Sequence, residues 1–259
     1  ERISESLNAY QKADKTAQEI NCPAEKYIEL LWKYGSFLNT YAYYTEAEQV
    51  YLRLIQISED TNGQNVITAA SYNNIGNVYS KSGNYVKALE YYNESLKIRK
   101  VTLGENHPDT AMSYNNIGNV YDELGEYYEA LENHNKALEI RKVTLGENHP
   151  DTVTSYNNIG NVYADLGEYY EALENHNKAL EIRKEVLGEK HTHTAMSYNN
   201  TGVVYLNLGD YDKALEYYYN ALKIYKEILG ESHPYTQQTL ENIAIVKRML
   251  EESQGNTEE

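Results

Sequence analysis

The sequence predicts an all-α fold, an α-solenoid of stacked antiparallel helix pairs, on three observations. The first is self-similarity. Written in rows of 42, the chain places Tyr72, Tyr114, Tyr156 and Tyr198 in one column, and Gly76, Gly118, Gly160 and Gly202 in another. A period of this length marks a repeat architecture in which each unit buries its apolar face against the next. Segments 109–150 and 151–192 differ at only eight of 42 positions, so the few differences carry the information. The second observation is helical spacing. Ala111, Tyr114, Ile117, Gly118 and Tyr121 recur three and four residues apart, one apolar stripe on one helix, and Tyr127, Ala130, Leu131, His134, Leu138 and Arg141 continue along a second. The third is punctuation. Gly125 falls where the first helix must end and Gly146 where the second must, and both are suited to the left-handed backbone of a helix C-terminus.

Taken in order, residues 1–22 read as the second helix of a partial preceding repeat, through Leu7, Tyr10 and Ala17, interrupted at Asn21-Cys22-Pro23. Residues 23–65 form a degenerate repeat, in which Gly35 and Gly63 join the glycine columns at a spacing of 41. Four regular repeats follow at 66–107, 108–149, 150–191 and 192–233. In the connecting loop Glu147-Asn148-His149-Pro150-Asp151-Thr152, Pro150 suits a first helical position and Asp151 the positive end of the helix it opens. Residues 234–250 supply a capping helix whose Lys247 and Arg248 put charge at repeat positions, and 251–259 read as a polar, frayed tail. The chain opens in mid-repeat without a Met, which predicts a piece of a longer protein.

Tyr114, Ile117, Gly118, Tyr121, Gly125, Tyr127, Ala130, His134 and Ala137 fall on the spacing of the tetratricopeptide repeat (TPR), which the chain resembles over about residues 25 to 250. The 42-residue period and the Leu-Gly-Glu-Asn-His-Pro-Asp-Thr loop resemble the long variant found in kinesin light chains. The resemblance implies a right-handed superhelix whose first helices line a concave groove and whose second helices form the outside.

That register assigns the groove. Trp32 lies in the degenerate repeat; Asn73, Asn77 and Lys81 in the next; Met112, Asn115, Asn119, Asp122 and Glu123 in the third; Asn157, Asn161 and Asp165 in the fourth; Met196 and Asn199 in the fifth. Down its middle runs a ladder of Asn, each carrying donors and an acceptor able to bond the peptide units of an extended chain. A second column, Asn74, Asn116, Asn158 and Asn200, is read as structural, satisfying groups between neighbouring helices. Residues 66–107 sum to +2 and residues 108–149 to −5, so acidity gathers in the middle and favours a basic or polar partner.

Composition bounds the rest. One Cys forms neither an intrachain disulfide nor a Cys-based zinc cage. No apolar run reaches a membrane-spanning length, so the chain reads as soluble and cytoplasmic. A net charge of −16 repels phosphate backbones, and no basic stripe offsets it, which argues against nucleic acid. No phosphate-cradling glycine loop, nucleophile elbow or metalloprotease helix occurs. His107, His149, His191 and His233 repeat at one loop position, which fits helix-entry packing better than catalysis, and His191 with His193 has no further ligand at metal spacing. The sequence thus predicts a non-catalytic module, without metal or cofactor, that binds a protein or extended peptide segment. The alternatives are a sensor segment of a larger signalling or defence protein, and end-to-end self-association through the exposed helix faces of the terminal units.

Overall fold

A computed structural model describes residues 2–255, and among them it contains twelve α-helices and no strand. They are α1 (Arg2–Glu19), α2 (Ala24–Thr40), α3 (Tyr44–Asn62), α4 (Val66–Lys81), α5 (Tyr85–Thr102), α6 (Pro108–Glu123), α7 (Tyr127–Thr144), α8 (Pro150–Asp165), α9 (Tyr169–Leu187), α10 (Thr192–Asn207), α11 (Tyr211–Leu229) and α12 (Pro234–Gly255). The expected fold class is what the structure has, an all-α solenoid of consecutive helix pairs. The chain divides into two compact units, Glu1–Glu126 and Tyr127–Glu259. In the first, α1 packs on α2 and each helix from α2 to α5 packs on its successor; in the second, the same holds from α7 to α11.

The turn inside a repeat is set by a few backbone groups. At the end of α4 the Gly83 N–H donates to the Ser80 carbonyl at 3.0 Å and the Asn84 N–H to the Tyr79 carbonyl at 2.8 Å, which satisfies carbonyls the helix leaves open. This geometry places Gly83 at φ 77°, where a side chain is strained. The Asn84 side chain then accepts from the Lys87 N–H at 3.3 Å and starts α5. In the degenerate repeat the corresponding left-handed residue is Ala42, at φ 61°.

Helices of a pair cross closely because one side of the crossing lacks a side chain. A Cβ added to Gly76 of α4 would lie 2.5 Å from ring carbons of Tyr92 on α5, and at Gly160 of α8 it would lie 2.8 Å from the His176 ring on α9. Around these crossings sit the cores. In the first unit Leu31, Leu38, Leu54, Ile75 and Val78 are buried with Tyr51 and Tyr92. In the second, Ala214, Tyr218, Leu222, Ile243 and Val246 join α11 to α12. Each fully buried large side chain of this kind contributes roughly 2 kcal/mol.

One boundary differs from the sequence expectation. The capping helix does not stop at residue 250 but continues to Gly255. Glu251 and Glu252 favour helix, so the last turns propagate from the packed part of α12 although these two residues are exposed. The rest of the expected frayed tail, 256–259, lies outside the described residues. At the other end α1 stops at Glu19, and the left-handed Asn21 (φ 46°) turns the chain into Pro23.

Candidate binding groove

Each assigned position sits on the first helix of a pair: α2, α4 and α6 in the first unit, α8 and α10 in the second. These helices lie side by side within a unit, as the direct packing of α8 on α10 shows. Their seam is held by amides. Asn116 Nδ2 on α6 donates to Asn73 Oδ1 on α4 at 3.0 Å, and Asn200 Nδ2 on α10 donates to Asn157 Oδ1 on α8 at 2.9 Å. A longer version, 3.5 Å, runs from Asn242 on α12 to Asn199.

These bonds separate the two Asn columns differently from the sequence reading. Asn116 and Asn200 do act between neighbouring helices, as expected. Their acceptors, however, belong to the column assigned to the ligand, and Asn73, Asn115 and Asn157 are buried, 5–8% exposed. A carbonyl oxygen already bonded in a seam has less to offer an incoming peptide. The more open amides lie one turn further on: Asn119 is exposed, and Asn77 and Asn161 are half-buried. Asn77 accepts from the Tyr92 hydroxyl at 2.7 Å and so also braces the helix pair.

The remaining assigned positions differ in exposure and partners. Lys81 is exposed, with its ammonium donating to Asn39 Oδ1 at 3.4 Å. Glu123 is exposed and accepts from the Tyr85 hydroxyl at 3.1 Å. Asp122 is half-buried, and Asp165 is exposed, its carboxyl held above the usual range by partial desolvation. Met112 and Met196 are half-buried. Trp32 stands edge-on to Tyr51, ring centres 6.5 Å apart, and borders a cavity of about 360 Å³ with Ile28, Val66 and Ile67 as apolar wall and Glu25, Glu29 and Lys33 beside it, the last two ion-paired at 2.6 Å.

Two features the sequence reading placed only approximately emerge at the inter-repeat loops. The loop histidines are helix N-caps: Nδ1 of His107, His149 and His191 accepts the backbone N–H of Asp109, Asp151 and His193 at 3.1 Å in each case, and Nδ1 of His233 accepts that of Tyr235 at 3.2 Å. An accepting Nδ1 fixes the neutral tautomer with its proton on Nε2. The second feature is a set of buried arginines. Nη1 of Arg99 reaches the Asp109 carbonyl at 2.9 Å and Ser113 Oγ at 2.7 Å; Arg141 does the same with Asp151 and Ser155, and Arg183 with His193 and Ser197. In the sequence they stand only as basic residues near helix ends. Their 42-residue spacing opposite a recurring Ser was the signal that could have shown a tie between successive repeats.

Among the described residues no three His, Cys, Asp or Glu side chains gather as a metal site, and no helix is long and apolar enough to cross a membrane. The rings of His191 and His193 lie 5.1 Å apart without a third such ligand.

Short helix pairs joined by glycine turns, stacked so that one helix of each pair carries an amide-rich face, define a helical-repeat scaffold. The model of the tetratricopeptide repeat matches residues 28–100, 67–142, 109–169, 151–218 and 193–254, and the chain belongs to the tetratricopeptide repeat family. Its fold is similar to that of BtubC (BKLC) from P. vanneervenii, with a TM-score of 0.75 and 22% identity over 90% of this chain and 92% of that one. It is also similar to a candidate kinesin light chain of Podosopora anserina with nearly identical TPR-like repeats, with a TM-score of 0.67 and 20% identity over 77% of this chain and 95% of that one. At such identities the likeness shows the fold alone. A stretch of 37 residues is 49% identical to a nucleotide-binding leucine-rich repeat (NLR)-like protein of Hyaloscypha variabilis, and it spans 14% of this chain and 4% of that protein.

Proposed function

We propose that this chain is a non-catalytic module that holds a protein or extended peptide segment, basic or polar in character, on its first-helix faces. Repeats of this family generally serve as protein- and peptide-binding scaffolds, which is the coarse part of the reading. The finer part rests on one observation: the exposed charge on the assigned positions is mainly acidic. Glu123 and Asp165 stand outward, and the apolar cavity beside Trp32 is bordered by Glu25 and by the ion pair of Glu29 with Lys33 at 2.6 Å, whereas Lys81 is engaged with Asn39. A segment carrying Lys or Arg next to an apolar side chain complements that arrangement, the apolar group filling the cavity and the cation meeting the carboxylates.

Burial of Asn115 and Asn157 makes them poor probes, because a charge there would disturb the seam between helices. Asn119→Arg and Asp165→Arg act on open positions instead. A fluorescent peptide with alternating Lys and Leu is expected to bind the native chain and to lose about tenfold or more in affinity to the double variant, with helical content unchanged. Equal binding by both would remove these positions from the site. The reading as a sensor segment of a larger protein has the 37-residue match as its one echo, and so short a stretch carries no function.

A further inference from the structure

At the junction of α8, α9 and α10 the second unit holds a cavity of about 320 Å³. Its wall is apolar, built by Val153, Ile182, Val186 and Leu187, and no acidic side chain lines it. Three basic side chains do: Arg183, His191 and His193. Arg183 is 6% exposed, and its bonds to the His193 carbonyl and Ser197 Oγ both use Nη1. Among the described residues no carboxylate pairs with it. His191 spends Nδ1 on the backbone N–H of His193, so its remaining ring nitrogen is a donor.

The corresponding junction between α5 and α6 differs in its charge and in part of its wall. There Thr102 stands in place of Val186, Ala70 in place of Thr154, and Asp109 in place of His193. Asp109 lends electrostatic support to the buried Arg99, and Asp151 does so for Arg141. Arg183 has lost that acid, and a His has taken its position. Val153, Thr154 and Val186 are also three of the positions at which the two nearly identical segments diverge, replacing Ala111, Met112 and Thr144. The changes add apolar wall and remove a long side chain from the mouth, so they make a cavity and take away its anion.

We propose that this cavity binds an organic carboxylate with a compact apolar body, the carboxylate meeting the guanidinium of Arg183 and the His191 and His193 rings, and the apolar part lying against Val153, Val186 and Leu187. A buried guanidinium with no acid partner is costly, and a carboxylate ligand supplies the missing charge together with forked hydrogen bonds. The depressed basicity of His193, caused by burial and then by the nearby guanidinium of Arg183, is in keeping with the missing acid. The ligand can be a free small acid or the terminal carboxylate of a peptide ending in an apolar residue. The site stands whether or not the first-helix faces hold a basic segment.

Calorimetric titration with 3-phenylpropionate and with its neutral amide tests the site. The acid is expected to bind at millimolar concentration or below and the amide about tenfold more weakly or not at all. Arg183→Gln should abolish the difference. Because Arg183 is buried and its loss can unfold the junction, Thr154→Met is the second variant: Met112 and Met196 occupy the same repeat position, so the fold accepts Met there, and it fills the mouth. It should weaken the acid about tenfold or more while the melting temperature stays within a few degrees. A peptide ending in Phe with a free carboxylate, set against its amidated form, distinguishes the sources: preference for the free terminus assigns a peptide end, and binding of phenylpropionate alone assigns a small acid. Equal binding of phenylpropionate and its amide, binding untouched by Thr154→Met, or no binding by either acid overturns the proposal.

Discussion

At the scale of single residues, the repeat shows what a given position needs because its copies can be compared. Ala42 occupies the turn that Gly83 occupies one repeat later, and it holds φ 61° with a Cβ. That conformation costs an L-residue about 1–2 kcal/mol, while Gly loses about 0.5–1 kcal/mol more chain entropy on folding. Ala42→Gly should therefore raise stability by about 0.5–1 kcal/mol, read as a higher midpoint in urea at unchanged slope. His134 and His176 make a second comparison, since Tyr92 and Tyr218 fill the same position in flanking repeats. Both ring nitrogens of His134 and Nδ1 of His176 are buried without a hydrogen-bond partner among the described residues. Burial, and then the positive charge of Arg141 or Arg183, pushes each down to about 4. An unfolded His titrates near 6.5, so between about pH 6.5 and 4 the unfolded chain binds the extra protons. Stability contributed by the neutral rings is full above that window and falls by up to about 3 kcal/mol per ring as pH drops through it. The double variant His134→Tyr, His176→Tyr should flatten the decline in melting temperature between pH 7.5 and 4.5, and Asn161, the counterpart of Asn77, stands ready for the new hydroxyl at 176. A decline of the same steepness in both proteins would assign the acid lability to other groups.

At the scale of elements, the stability of the inter-repeat loop lies in its cap. Asn65 caps α4 by accepting from the N–H groups of Ile67 and Thr68 at 2.8 and 3.2 Å, and His149 caps α8 through Nδ1 at the same repeat position. His149→Ala should cost about 1 kcal/mol and His149→Asn close to nothing, a contrast that thermal melts at neutral pH will register and that a pure packing role for the ring would reverse. The order of helices was legible throughout, because periodic apolar positions and glycine turns are local signals: the turn at Gly125 and the second helix from Tyr127 fall where expected. The end of α12 was not, since no glycine or proline marks it before Gly255 and propensity alone sets its length. The candidate groove was legible only in part. Register places Asn73, Asn115 and Asn157 on the first helices, but whether an amide points outward or into a seam depends on the partner that a neighbouring repeat supplies, Asn116 or Asn200, and that pairing spans 43 residues. The Arg99 tie was missed for the same reason. A cation near a helix end looks alike in sequence whether it faces water or, as here, Ser113.

At the scale of the whole molecule, a net charge of −16 acts on stability and on binding with opposite signs. Like charges spread along a chain of nearest-neighbour contacts repel, and screening relieves that repulsion within a Debye length of about 10 Å at 0.1 M salt. Raising NaCl from about 20 to about 200 mM should therefore raise the melting temperature by a few degrees. The same screening weakens attraction between the acidic positions and a cationic segment, so affinity for a Lys-rich peptide should fall over that range, chiefly through a slower association rate. Glu123 and Asp165 bear on the second effect far more than on the first, because each is one of 39 acidic residues in the total. Glu123→Gln with Asp165→Asn should accordingly flatten the salt dependence of peptide association and leave that of the melting temperature almost unchanged. Rapid-mixing kinetics and melts on the same samples separate the two. If both salt dependences shift together, or if neither does, the cation is being drawn by the net field of the chain and not by these two carboxylates.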